Sequence, residues 1–200
     1  MGTGRSQAGG LSGREKAAPA PAFRHRLVGL TGTNGAGKGE VASYLVKKGY
    51  AYVSLSDEIR ANLRRKGKES SRDEMIAAGN ALRRRYGADI LARRVMEKVK
   101  SPTVIDSIRN VSEIAFLRGQ SDFVLVSVDA PAELRFARIR KRGRAESAST
   151  FEEFMAKEKE EMSGGKSGQQ LRRCLGLADL TIVNDGTLQN LRRRIKELLL

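Results

Sequence analysis

The sequence predicts an α/β protein with a five-stranded parallel sheet covered by helices on both faces and a small lid. Three observations predict it. Five short apolar segments, at 26–31, 51–55, 103–106, 123–128 and 180–183, read as buried strands. Helical segments with their own start and stop signals separate them. The segments that carry chemistry fall just after predicted strands, where ligands bind in such sheets.

The first strand, Arg26-Leu27-Val28-Gly29-Leu30-Thr31, ends in a glycine-rich turn. A helix over 37–48 follows, with Val41, Tyr44 and Leu45 on one face and Gly49 at the C-cap position. After the second strand, 57–66 reads as a basic helix. Ser71-Arg72-Asp73-Glu74 is a capping box that opens a helix to about Tyr86, where Gly87 stops it. Helix resumes over 89–98, and Pro102 marks the boundary before the third strand. A short helix over 112–118 closes at Gly119. The strand at 123–128 is strongly β-prone. Pro131 opens a helix to about Lys141. Thr150-Phe151-Glu152-Glu153 is a second capping box, starting a charged helix to about Met162. Gly164-Gly165-Lys166-Ser167-Gly168 reads as a flexible break. A helix over 170–177, the fifth strand and a helix over 187–200 complete the chain, with right-handed crossovers as the default.

Composition bounds the function. At 200 residues the chain suits one domain with a core that needs no staples. One cysteine, Cys174, excludes an intrachain disulfide and a cysteine-built zinc site. The apolar runs are too short to span a bilayer. Residues 1–25 read as a disordered, acid-poor tail, and 26–200 as the folded domain. The tail lacks the apolar centre of a secretory signal. Its start, Met1-Gly2-Thr3-Gly4-Arg5-Ser6, matches a short myristoylation pattern, and an organelle transit peptide is a further alternative. A cytoplasmic protein is the expectation. The single histidine, His25, gives histidine relays little to stand on. Lys+Arg 38 against Asp+Glu 23 leaves +15, a surplus suited to nucleotides, nucleic acid or an anionic membrane. With no Trp and 5% aromatics, base stacking on single strands is poorly supported, so nucleic acid is not a required partner.

Gly32-Thr33-Asn34-Gly35-Ala36-Gly37-Lys38-Gly39 fits G-x-x-x-x-G-K, the P-loop, in its required place between strand and helix. Its backbone N–H groups and the helix N-terminus would cradle phosphates, and Lys38 would reach the β- and γ-phosphates of ATP. Gly39 stands where a Ser or Thr usually ligates Mg²⁺, which leaves waters and the strand-end carboxylates Asp57 and Asp106 to hold the metal.

At these residues the chain resembles P-loop nucleoside monophosphate kinases, which implies a three-layer P-loop NTPase fold. Lys38-Gly39 matches the adenylate kinase branch, although Glu40 replaces its threonine. Ser54-Leu55-Ser56-Asp57-Glu58-Ile59-Arg60 is similar to the family's acceptor motif, which implies acceptor-binding roles for Ser54, Asp57 and Arg60. Asp106-Ser107-Ile108-Arg109 resembles the stretch in which the aspartate orients a Mg²⁺-bound water and the arginine grips the acceptor phosphate. Asp129 to Arg142 resembles the stretch entering the lid, which implies that Arg138 and Arg142 converge on the transferring phosphoryl group. Residues 143–167 are then the lid. The run 178–187 is similar to the end of dephospho-CoA kinases, where Asn184 and Gly186 would meet the adenine. The stretch 72–93, with Asn80, Arg83 and Gly87, is closer to deoxynucleotide monophosphate kinases.

The resemblance implies transfer of the γ-phosphoryl group of ATP to a (deoxy)nucleoside monophosphate, with Lys38, Arg109, Arg138 and Arg142 as catalytic groups. Dephospho-CoA kinase, with Asp57 as base, is the alternative within the fold. An ATP-binding regulator or degenerate kinase without turnover is the alternative of a different class. The sequence leaves acceptor identity and oligomeric state open.

Overall fold

The computed structural model describes residues 24–100, 102–120, 122–143, 150–162 and 164–200. Their order is β1 (Leu27–Thr31), α1 (Lys38–Val46), β2 (Ala51–Ser54), α2 (Leu55–Arg65), α3 (Arg72–Tyr86), α4 (Ile90–Met96), β3 (Thr103–Asp106), α5 (Val111–Arg118), β4 (Phe123–Asp129), α6 (Ala132–Arg142), α7 (Phe151–Met162), α8 (Leu171–Gly176), β5 (Leu180–Val183) and α9 (Leu188–Leu199). The sheet order is β2-β3-β1-β4-β5, and every pairing is parallel.

Alternation along the central strands divides the core in two. Val28, Leu30, Val104, Val124, Val126 and Val128 pack with α1 and α9 through Val41, Leu45, Leu191, Ile195 and Leu199. Leu27, Ile105 and Leu125 face the other way, onto α2, α4 and α5 through Ile59, Leu63, Leu91, Val95, Ile114 and Leu117. Both faces of the sheet are therefore covered, and the loops after β1 and β3 gather with the start of α2 at one edge. Gly29 is small for a reason: a Cβ there would strike the Phe123 ring and Ile108.

The predicted strands at 103–106 and 180–183 match the structure residue for residue. Half of the capping box at Ser71 forms: the Glu74 N–H donates to Ser71 Oγ at 3.3 Å, while the Glu74 carboxylate accepts from Lys68. The one at Thr150 forms as well, with the Glu153 N–H donating to Thr150 Oγ1 at 3.2 Å.

Three expectations need correction. Helix α2 begins at Leu55, two residues earlier than predicted, because the leucine is drawn into the core. Residues 164–168 are a closed turn rather than a flexible break. Gly164 N–H donates to Gln169 O (2.8 Å), Gly168 N–H to Gly165 O (2.7 Å), and the Asn110 amide to Lys166 O (3.0 Å) and Gly168 O (2.8 Å). The predicted tail also ends earlier than residue 25. The Tyr50 hydroxyl donates to His25 O at 2.7 Å, so 24–25 already belong to the fold. Residues 1–23, with the tail and targeting alternatives read there, and lid residues 144–149 lie outside the described residues.

A buried carboxylate organises the loop after β3. Glu113, wholly buried, accepts from Arg83 Nε (2.9 Å) and from the backbone N–H groups of Arg109 (2.9 Å) and Asn110 (3.0 Å). Arg83 Nη2 lies 2.8 Å from the same carboxylate. Glu113→Ala leaves the Arg83 guanidinium buried and unpaired, at a cost of about 3–5 kcal/mol. Denaturant unfolding should show that loss. Replacing both residues, Arg83→Met with Glu113→Leu, should recover only part of it, because two backbone N–H groups stay orphaned.

Candidate functional site

The phosphate loop takes its shape from three left-handed glycines, Gly32 (φ 142°), Gly35 (φ 80°) and Gly37 (φ 107°). A Cβ on Gly37 would collide with the Asn184 amide, and one on Gly32 with the Val128 carbonyl. Asn184 clamps the loop from behind, its amide donating to Ala36 O at 2.8 Å. The Lys38 ammonium folds over the loop, donating to Gly32 O (2.7 Å) and Thr33 O (2.8 Å). Enclosure and the nearby Arg109 charge lower its pKa to about 8, against the partial opposition of Asp106 and Glu161.

A cavity of about 510 Å³ opens in front of this loop. Asn34, Gly35, Gly37, Lys38 and Gly39 form one wall, with Asp106, Arg109 and Arg142 beside them. Arg60 and Arg72 come from α2 and α3, and Glu161 from the last turn of α7. Leu55, Ile59, Met75, Ile76 and Leu91 supply an apolar side.

Of the predicted residues, the structure brings the loop, Arg60, Asp106, Arg109 and Arg142 to this cavity. Asp106 is held in place: its Oδ1 accepts from the Ser107 N–H (2.6 Å) and its Oδ2 from the Tyr52 hydroxyl (3.1 Å). Burial and that neighbouring carboxylate push the Tyr52 phenol up to about 12, so it stays a donor. Ser54 is buried and off the lining, its hydroxyl 2.9 Å from Ser56 Oγ and donating to Ser107 Oγ at 3.3 Å. Ser107 holds a left-handed backbone (φ 66°) unusual for a residue with a Cβ.

Several predicted residues lie off the lining. Asp57 is absent from the lining; its side chain is 59% exposed and paired with Arg60 at 2.8 Å. Arg138 does not reach the cavity with Arg142. Its Nη2 donates to Asn184 O at 3.0 Å, on the far side of the phosphate loop. Gly186 also lies off the lining, next to the Asn190 side chain. Glu40 points into a shallow surface cleft with Tyr44, Lys47 and Arg192.

The sequence reading passed over Arg72, Glu161 and Gln169. Glu161, 4% exposed, takes Arg72 Nε (3.0 Å) on Oε1 and Arg109 Nη1 (3.0 Å) on Oε2. Burial pushes its carboxyl upward, but Arg109 and Arg72 outweigh that and hold it below the usual range. Gln169 Oε1 accepts from the same Arg109 Nη1 at 2.9 Å. Helix α7 is docked by more than Glu161. Phe154 is buried against Phe136, and Glu158 pairs with the buried Arg135, with Arg135 Nη2 to Oε1 at 3.0 Å.

The cavity suits a polyphosphate. The phosphate-loop wall, Lys38, Arg60, Arg72, Arg109 and Arg142 line it, against the two carboxylates Asp106 and Glu161. Among the described residues no cluster of three or more His, Cys, Asp or Glu could cage a metal. The donor set does fit Mg²⁺ of the kind shared with a nucleotide, with Asp106 in reach and phosphate oxygens and waters supplying the rest.

Comparisons with known proteins agree with this geometry. A family model described as an AAA domain matches residues 28–162. A UPF0200 protein of Sulfurisphaera tokodaii is 30% identical over 176 residues, covering 87% of this chain and 96% of the relative. A UPF0200 protein of Hyperthermus butylicus is 31% identical, covering 88% and 94%. The crystal structure of TT1252 from Thermus thermophilus aligns with a TM-score of 0.56 at 22% identity, over 87% of this chain and 96% of that one. A shikimate kinase from Bacteroides thetaiotaomicron aligns with a TM-score of 0.57 at 16% identity, over 88% and 98%. At these identities the two structures show the shared fold. No helix among the described residues is long and apolar enough to cross a membrane.

Lys38 gives a pH test. Its ammonium is charged below about 8 and neutral above, and only the charged form attracts phosphate. Affinity for ATP, measured by calorimetry, should fall about tenfold from pH 7 to pH 9. Lys38→Arg should flatten that profile. A flat profile in the unaltered protein would remove Lys38 from phosphate binding.

Proposed function

Because the chain belongs to the AAA-domain family matched above and to the UPF0200 proteins, within the P-loop kinase-like superfamily, we propose that it is an ATP-dependent phosphotransferase acting on a (deoxy)nucleoside monophosphate. One observation carries this reading. A single cavity joins the phosphate loop to a second cationic group, Arg60, Arg72 and Arg109, beside an apolar wall of Leu55, Ile59, Met75, Ile76 and Leu91. A nucleotide hydrolase has no need of that second half. An acceptor bearing both a phosphate and a flat, weakly polar base does.

Catalysis then rests on position and charge. The loop N–H groups and Lys38 hold the donor phosphates. Mg²⁺, when bound, neutralises phosphate charge, and Asp106 orients its water shell. Arg60 and Arg109 align the acceptor phosphate, and Arg142 balances charge that builds on the transferred group. An acceptor phosphate oxygen attacks the γ-phosphorus. The bond from that phosphorus to the β–γ bridging oxygen breaks, and ADP leaves with the electron pair. A phosphate dianion brings no proton to remove, so the reaction asks for no general base. A ribose hydroxyl acceptor would need one, and Asp57, the base of the dephospho-CoA kinase alternative, lies outside the cavity.

The position of Arg138 beside Asn184 supports a donor-side role for it rather than contact with the moving phosphoryl group. Arg138→Ala should therefore raise the KM for ATP at least tenfold, with kcat at saturating ATP changed less than about threefold; the reverse pattern would return it to the reacting centre.

The deciding experiment measures ADP formation from Mg-ATP with a panel of ribo- and deoxynucleoside monophosphates and dephospho-CoA. ADP that depends on one monophosphate establishes the reading and names the acceptor. Turnover with dephospho-CoA alone selects that alternative. ATP binding with no acceptor-dependent turnover leaves a nucleotide-binding regulator.

A further inference from the structure

The acceptor half of the cavity already contains an anion of the protein's own. Glu161 stands between two arginines that arrive from different elements, Arg72 at the start of α3 and Arg109 after β3. Each carboxylate oxygen is taken by one of them. The arrangement is incomplete as a permanent ion pair. One negative charge faces two guanidinium groups, with Lys38 and Arg142 lining the same cavity. Arg72 Nη2 lies 2.9 Å from Glu161 Oε1, yet it is buried without a well-aligned hydrogen bond. A planar carboxylate offers two oxygens to these donors. A tetrahedral phosphate offers three and twice the charge.

We propose that Glu161 is an internal occupant of the acceptor-phosphate subsite, held by Arg72 and Arg109 until the phosphate of an acceptor takes its place. The proposal rests on the kinase reading of the cavity and adds a source of selectivity to it. An acceptor with a phosphate repays the displacement of Glu161 through both arginines. A nucleoside, with no charge to offer, leaves Glu161 where it is and is excluded. This selection works by competition inside the site rather than by shape. Helix α7 does not depend on Glu161 for its place, because Phe154 and Glu158 also anchor it.

A purely structural ion pair makes the opposite prediction. If Glu161 merely orders the arginines, its loss loosens them and weakens anion binding. The test uses inorganic phosphate as probe, titrated by calorimetry into protein already saturated with ADP so that the phosphate loop is filled. Glu161→Gln keeps the shape and removes the charge. Its affinity for phosphate should rise at least tenfold over the unaltered protein, and Arg72→Ala in the same chain should abolish the gain. Unchanged or weaker phosphate binding by E161Q overturns the proposal. Should E161Q not fold, hydrogen exchange in the unaltered protein decides: phosphate should speed exchange at the last turn of α7, and no change there overturns the proposal. None of these measurements needs turnover. A failed acceptor panel would sink the kinase reading and leave this comparison intact, whereas a failed phosphate comparison would leave the kinase reading standing.

Discussion

The site depends on one buried carboxylate that does not line it. Glu113 accepts from the Arg83 guanidinium and from two successive backbone N–H groups, those of Arg109 and Asn110. An ionised carboxylate out of water is costly unless its lone pairs are spent, and here they are spent. The effect on the chain is geometric. The loop after β3 must turn back with its amides facing inward, and this carries the Arg109 side chain to the cavity. Asn110 caps α5 by accepting from the Ser112 N–H at 2.9 Å. Its amide then grips the turn at 164–168, next to Gln169 and the end of α7. One interaction thus fixes a cavity arginine, starts a helix and tethers the segment that follows Glu161.

Charge in the cavity is organised around a deficit of anions. Lys38, Arg60, Arg72, Arg109 and Arg142 share a space in which Asp106 and Glu161 are the opposing carboxylates. Burial first, and then the Arg109 charge, lower the Lys38 ammonium to about 8, and it turns inward onto two carbonyls of its own loop. Such crowding costs stability in the free protein. A bound polyanion recovers it, so part of the binding energy is relief of repulsion already present. The overall +15 is consistent with this local pattern but does not locate it.

Much of the fold was legible because the signals are local. Buried parallel strands are short apolar runs, and the phosphate loop is a contiguous spacing of glycines ahead of a lysine. The capping box Asn110-Val111-Ser112-Glu113 went unread, and it does more here than cap a helix. The errors came from orientation. Leu55, Ser56, Ile59 and Arg60 share the cavity face of α2, and Asp57, a hundred degrees further round, faces water. Arg138 and Arg142 sit four apart on one side of α6, but that spacing sets their roots about 6 Å apart along the axis. Two long side chains from those roots reach different neighbours, Asn184 and the cavity. Arg72 with Glu161 was beyond sequence reading altogether. The pair lies 89 positions apart, and nothing in either flank names the other.

The phosphate loop's departures make sense against that background. Gly39 has open space around the position of a Cβ, so sterics do not force a glycine there. What the position lacks is a hydroxyl for a metal, and Asp57 does not substitute for it from its place on the outer face of α2. Asp106 remains, locked by Ser107 and Tyr52. A site with one well-placed carboxylate among several arginines is better equipped with guanidinium forks than with metal ligands for holding phosphates. Forks are directional, bidentate and always charged, so they can align two phosphates even where the metal keeps most of its water. The same property makes them attract any carboxylate within reach. Glu161 is then the expected consequence of gathering cavity arginines under a helix: guanidinium groups crowded together capture an anion of their own chain.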